Sequence, residues 1–148
     1  THTRSSAASD VYKRQNYLNM NDKIKFEMEF PIKVSQKLLF QYISTPSGLS
    51  EWFADNVNSR GEIFIFIWDD SEESAKLIRK NNNEKIQFQW LDDESTGYYL
   101  ELRIQFEEIT KDVSLIVTDF ADDDEEVEES KLLWTNQIAD LKKVLGST

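Results

Sequence analysis

The run Leu132-Leu133-Trp134-Thr135-Asn136-Gln137-Ile138-Ala139-Asp140-Leu141-Lys142-Lys143-Val144-Leu145-Gly146 lies at the end of the chain and decides how the rest must fold. Trp134, Ile138, Leu141 and Leu145 recur at steps of four, three and four, flanked by Leu133 and Val144, which is the period of one helix face. Lys142 and Lys143 stand where cations favour a helix C-terminus, and Gly146 follows as a C-cap. Upstream, seven of the eight residues 122–129 are acidic, a charge that suits the positive end of the helix dipole. A helix with one long apolar face needs a large apolar surface to lie on. The strands that precede it supply that surface.

Those strands are read from alternation. Residues 23–30 put Ile24, Phe26, Met28 and Phe30 on one side and Lys23, Lys25, Glu27 and Glu29 on the other, a half-buried strand with one wet face. Pro31 ends it, because proline cannot donate to a ladder. Ser35 is a good N-cap for a helix over 36–43, with Leu38, Leu39, Tyr42 and Ile43 as its apolar side. Thr45-Pro46-Ser47-Gly48 breaks the chain, and a second short helical turn over 49–54 carries Trp52 and Phe53. Residues 62–68 are apolar on both faces, which predicts a central strand covered on both sides. Further strands are expected over 75–80, 84–90, 98–107 and 113–119, with a weakly signalled one over 56–60. Asn81-Asn82-Asn83 is a turn between two of them, since asparagine tolerates left-handed backbone. The expectation is an α+β domain: about seven strands in a curved antiparallel meander around the terminal helix, with two short helices after the first strand.

Residues 1–19 are set apart. They are rich in Ser and Ala and show no periodicity, and no apolar stretch follows their basic residues, so they do not read as a secretory signal. Residues 5–15 look like the one-frame translation of a transposase-type sequencing adapter, with 16–19 as translated leader ahead of a start at Met20. A disordered native tail is the plainer alternative. Either way the folded domain is expected over 20–148, and the leader is expected to be dispensable.

The whole chain of 148 residues carries a net charge of −11, with 17 basic and 28 acidic residues. Setting aside Arg4, Lys13, Arg14 and Asp10 leaves 14 basic and 27 acidic residues over 20–148, a net of −13. The one histidine, His2, falls in the leader, and there is no cysteine. The domain therefore cannot host a Cys–His pair, a Ser-His-Asp triad, a thiolate or imidazole metal site, or a disulfide. Strong acidity argues against nucleic acid and anionic membrane surfaces, whose binding depends on clustered Lys and Arg. No hydrophobic run approaches the roughly 20 residues needed to span a bilayer. A single-domain cytoplasmic protein without a cofactor or metal is the expectation.

The order strand, two short helices, meander, long helix resembles the START-like, helix-grip superfamily, which includes the Bet v 1 pollen allergens and the Hsp90-activator domains. So does the string Leu39-Phe40-Gln41-Tyr42-Ile43-Ser44-Thr45-Pro46-Ser47-Gly48-Leu49-Ser50-Glu51-Trp52-Phe53, similar to that family's helix, Thr-Pro, Leu, then Trp-aromatic. Leu132-Leu133-Trp134 and Leu141-Lys142-Lys143-Val144-Leu145 also look like the START-like proteins of Bacteroidetes. The resemblance implies a space between sheet and terminal helix. It does not imply one function, since members bind lipids, hormones or proteins and some are enzymes.

The leading expectation is non-catalytic binding of a small apolar or amphipathic ligand by Trp52, Phe53, Trp68, Trp90, Trp134, Ile138 and Leu141, whose role is burial rather than chemistry. Each has a plainer alternative, since large aromatics usually fill a core. Trp52 and Phe53 either gate a cavity or plug the sheet's edge, and the other three tryptophans either line a chamber or fill it. The runner-up, implied by the Hsp90-activator resemblance, is a protein-interaction module whose acidic residues 122–126 attract a basic partner. That run lacks the glycine and oxygen spacing of an EF-hand, so it reads as a solvated helix start and not as a Ca²⁺ loop. Arg60, Arg79 and Arg103 could orient a carboxylate, though Arg103 alternates onto a solvated face and the side of Arg79 is undecided. An enzyme would have to rest on Asp55, Asp119, Tyr42, Tyr98 or Tyr99, a weaker reading.

Overall fold

Alternating segments pair in chain order, and the helix pattern at the end of the chain lies across them. The computed structural model describes residues 23–147. The expected leader over 1–19 and the start at Met20 lie outside the described residues.

Strand β1 (Ile24–Pro31) is followed by α1 (Gln36–Ser44) and the one-turn α2 (Pro46–Leu49). A meander then runs β2 (Asn56–Arg60), β3 (Ile63–Trp68), β4 (Ser71–Asn81), β5 (Lys85–Trp90), β6 (Leu100–Phe106) and β7 (Val113–Ala121), with a 3₁₀ turn at Leu91–Asp93 between β5 and β6. Helix α3 (Asp124–Leu145) closes the described chain. The sheet order is β1-β7-β6-β5-β4-β3-β2, and every neighbouring pair is antiparallel. The chain thus forms a seven-stranded curved sheet gripping a long helix. β1 lies beside β7, and α3 packs against both.

Local chemistry sets the helix ends. Ser35 Oγ accepts the Leu38 N–H at 3.1 Å, satisfying one of the free donors at the start of α1. Thr45 Oγ1 accepts the Gly48 N–H at 3.0 Å and donates to the Gln41 carbonyl at 2.7 Å, so one hydroxyl joins the end of α1 to the start of α2. Asp123 caps α3 by accepting the Glu126 N–H at 2.8 Å, and Gly146 ends it at φ 71°, in the left-handed region expected of a C-cap. α3 buries Val127, Trp134, Ile138 and Leu141.

Three expectations change. Strand β3 is not central: it is second from the edge, between β2 and β4. Phe64, Phe66 and Trp68 are buried, whereas Ile63, Ile65 and Ile67 on the opposite face are half-buried. Among the described residues no layer covers those isoleucines. Their cross-strand neighbours flank them instead: Asn56, Asn58 and Arg60 on one side, Glu72, Ser74 and Lys76 on the other. Of these, Arg60 and Lys76 beside Ile63 and Glu72 beside Ile67 have stems long enough to shield an apolar neighbour. The second helix begins at Pro46 and ends at Leu49, so Trp52 and Phe53 occupy the turn after it. Proline is favoured at a helix's first position and Thr45 caps from before it, which starts the turn early. In α1 it is Phe40 that is buried and Leu38 that is 38% exposed, because the helix presents Leu39, Phe40 and Ile43 to the sheet.

Candidate functional site

The inner face of the sheet carries an aromatic cluster built around Phe53. Its ring lies edge-on to Phe66 at 5.2 Å and to Trp68 at 6.0 Å, and stacks on Trp134 of α3 at 5.7 Å. Trp52 meets it edge-on at 5.5 Å. Trp90 sits behind Phe66, with centroids 5.4 Å apart. Such offset and edge-to-face contacts are the favoured geometries for aromatic pairs.

Polar atoms fix the rings. Trp52 Nε1 donates to the Tyr42 carbonyl at 2.9 Å. The Phe53 carbonyl accepts both Trp68 Nε1 and Gln137 Nε2, each at 3.2 Å. That one carbonyl joins β3 and α3 to the turn after α2. Trp134 Nε1 donates to Asp119 Oδ2 at 3.2 Å.

At the rim of this cluster, between the turn after α2 and the last turns of α3, lies an open cleft of about 410 Å³. Its floor is Trp52, Phe53 and Trp68, with Ser50, Glu51, Ala54 and Asp55 on one wall and Asp140, Lys143 and Val144 on the other. The volume falls in the ~300–1,000 Å³ range of small-molecule sites.

The seven expected site residues therefore divide. Trp52, Phe53 and Trp68 reach the cleft. Trp134 lies beneath it, stacked on Phe53, and Ile138 and Leu141 are 1% and 0% exposed within the core. Trp90 belongs to the same inner face but does not border the cleft. Sequence reading missed Glu51, Asp140, Lys143 and Val144 as wall residues. On the helix, Asp140 and Lys143 are exposed positions outside the apolar stripe and Val144 flanks it, and periodicity marks none of them as facing a cleft. Asp55, weighed only as an acid catalyst, is a wall residue.

The other catalytic candidates do not converge there. Tyr98 and Tyr99 both pack on Phe120, each at 5.2 Å, and Phe120 points away from Asp119 across the sheet. Arg103 lies on the outer face, 3.6 Å from Glu101 and 4.0 Å from Glu27, and Arg79 is exposed. Among the described residues no group of three or more acidic, histidine or cysteine side chains is arranged to hold a metal. No helix among them is long and apolar enough to cross a membrane.

A second polar cluster joins the start of α3 to the sheet. Lys23 Nζ lies 3.6 Å from Asp93 and 3.7 Å from Asp122, while its backbone N–H donates to the Tyr98 hydroxyl at 3.0 Å. Burial, and then the negative charge of Asp122, hold the Glu126 carboxyl above its ordinary value; the nearby Lys23 opposes the rise.

This geometry has a family. A model of the START-like superfamily domain matches residues 20–147. A Bacteroides fragilis protein solved by solution NMR is 33% identical, over 84% of this chain and 93% of its own, with a TM-score of 0.62. The chain belongs to the START-like superfamily. The Aha1 dimer from Colwellia psychrerythraea is similar with a TM-score of 0.70 at 15% identity, covering 82% of this chain and 96% of that one. CalU16 from Micromonospora echinospora gives 0.65 at 12% identity, over 86% and 78%. At those identities the likeness speaks for the fold alone. No curated protein matches the chain. Family and fold together define a ligand-binding or interaction domain in general terms.

Proposed function

We propose that this protein binds a small apolar or amphipathic molecule without transforming it, in the cleft between the turn after α2 and the end of α3. One observation carries the reading: a cleft of about 410 Å³ whose floor is Trp52, Phe53 and Trp68, hydrogen-bonded in place. The volume suits a small molecule, and a small apolar floor between polar walls suits an amphipathic one. Trp134, Ile138 and Leu141 serve it from beneath by holding α3 against the sheet, and Trp90 by buttressing Phe66. The test is native mass spectrometry of the full chain from a bacterial host, followed by denaturing extraction. A co-purifying apolar or amphipathic small molecule supports the reading. A clean apo mass, with no thermal shift from neutral, anionic or cationic amphiphiles, overturns it.

A second reading, a protein-interaction module of the Hsp90-activator kind, draws on Asp123, Asp124 and Glu125, which are exposed at the start of α3. Their charge would steer a basic partner. Salt-sensitive capture that weakens when Asp124 and Glu125 are neutralised would favour it, and salt-insensitive capture would count against it.

A further inference from the structure

The walls of the cleft are more specific than its floor. Glu51, Asp55 and Asp140 place three carboxylates around it against the single ammonium of Lys143. Among the described residues none of these four forms an ion pair. The acids also come from both walls, Glu51 and Asp55 from the turn after α2 and Asp140 from α3, so a guest in the cleft meets negative charge on both sides. Beneath them lie Trp52, Phe53 and Trp68, whose buried rings leave only a narrow apolar floor, so the charged walls dominate what a guest meets.

Resting on the binding role proposed above, we infer that the cleft selects a cationic amphiphile, an organic ammonium carried on an apolar chain or ring, over a fatty-acid-like anion of the same size. The apolar part lies on Trp52, Phe53 and Val144, and the ammonium sits between the Asp55 and Asp140 walls. A carboxylate placed there would face two negative charges in excess. Lys143, one helical turn from Asp140, offsets only one of the three acids.

The experiment is a titration of the full chain, read by tryptophan fluorescence and calorimetry, with three ligands of matched chain: dodecyltrimethylammonium, dodecyl maltoside and dodecanoate, all below their micelle-forming concentrations. The cation is expected to bind about tenfold more tightly than the neutral ligand at low salt, the scale of one or two partly screened charge contacts, and the anion more weakly than either. High salt should narrow the gap. Asp55→Asn with Asp140→Asn should lower the affinity for the cation about tenfold and leave the neutral ligand unchanged. Glu107→Gln with Glu108→Gln, on the β6–β7 turn, should alter neither. Val144→Arg, which fills one wall, should weaken both cationic and neutral binding, and unchanged thermal midpoints show that the variants fold. Equal binding of all three ligands, preferred binding of dodecanoate, or indifference to the Asp55 and Asp140 changes overturns the charge selection while the cleft remains a binding site. Binding of none overturns the binding role itself, and the selection with it.

Discussion

Asp119 and Trp134 join the last strand to the terminal helix: the indole Nε1 donates to the carboxylate Oδ2 at 3.2 Å, with the two residues 9% and 5% exposed. An acid on the inner face of a sheet is costly unless its oxygens are hydrogen-bonded. The second oxygen, Oδ1, accepts the Phe120 N–H at 2.8 Å. The pair therefore sets where α3 lies along β7, and so where its last turns stand opposite the turn after α2. Trp134→Phe keeps a ring to stack on Phe53 but removes the donor, and should cost about 1.5–3 kcal/mol, as for other hydrogen bonds to charged groups. Urea unfolding measures this. An unchanged midpoint would mean that the bond contributes nothing net.

Gly48 is required by space. A Cβ there would stand 2.6 Å from Tyr42 Cα and 2.9 Å from Thr45 Oγ1, where α1 and α2 meet. Gly48→Ala should destabilise by about 1–3 kcal/mol, the usual cost of overpacking. It should also shift the fluorescence of Trp52, whose indole is anchored to the Tyr42 carbonyl. At Gly97 a Cβ would meet nothing within 4 Å, so Gly97→Ala is the matched control and should be nearly neutral. Equal effects at the two sites would refute the steric account.

The Glu126 carboxyl gives stability a pH dependence of known sign. Its folded value is raised above 4.5, so the native state holds this proton more tightly than the unfolded chain does. That contribution is complete below about pH 4.5 and fades as pH rises through the raised value. Glu126→Gln removes the titration and should be at least as stable as the parent near neutral pH. Unfolding free energies of both proteins, compared between about pH 5 and about pH 8, isolate the effect as a difference. Parallel curves would show that Glu126 titrates alike in both states.

The cap on α3 has a measurable worth. Asp123→Ala should cost about 1 kcal/mol by freeing the Glu126 N–H, whereas Asp123→Ser should be close to neutral. Asp124→Ala, which leaves the cap intact, should cost only a few tenths through the helix dipole. Thermal unfolding of the three variants ranks them. A loss at Asp124 as large as that at Asp123 would point to bulk charge and not to the cap bond.

Much of the fold was legible in residues read a few at a time. The alternation from Ile24 to Phe30, the Ser35 cap, the steps from Trp134 to Leu145 and the Gly146 stop each declare local geometry, because the side-chain period follows from backbone geometry alone. Strand β3 shows the limit. Ile63, Ile65 and Ile67 read as covered, but coverage depends on which strands lie alongside, and the short polar β2 placed β3 next to the edge.

The candidate site was half legible for a related reason. Trp52, Phe53 and Trp68 announced themselves as large apolar groups near a chain break. Glu51, Asp140 and Lys143 did not, since an exposed acid or lysine looks the same whether it faces open water or the far wall of a cleft. Sequence by itself determined the elements, their order, the acidic charge and the absence of histidine and cysteine from 20–148, all properties of residues and their near neighbours. Only the tertiary structure decided that the aromatic rings pack on one another around Phe53, and that a cleft remains where residues 50–55 meet 140–144. That space is what is left after distant elements pack, and its size and charge depend on contacts between residues far apart in the chain, which no local period records.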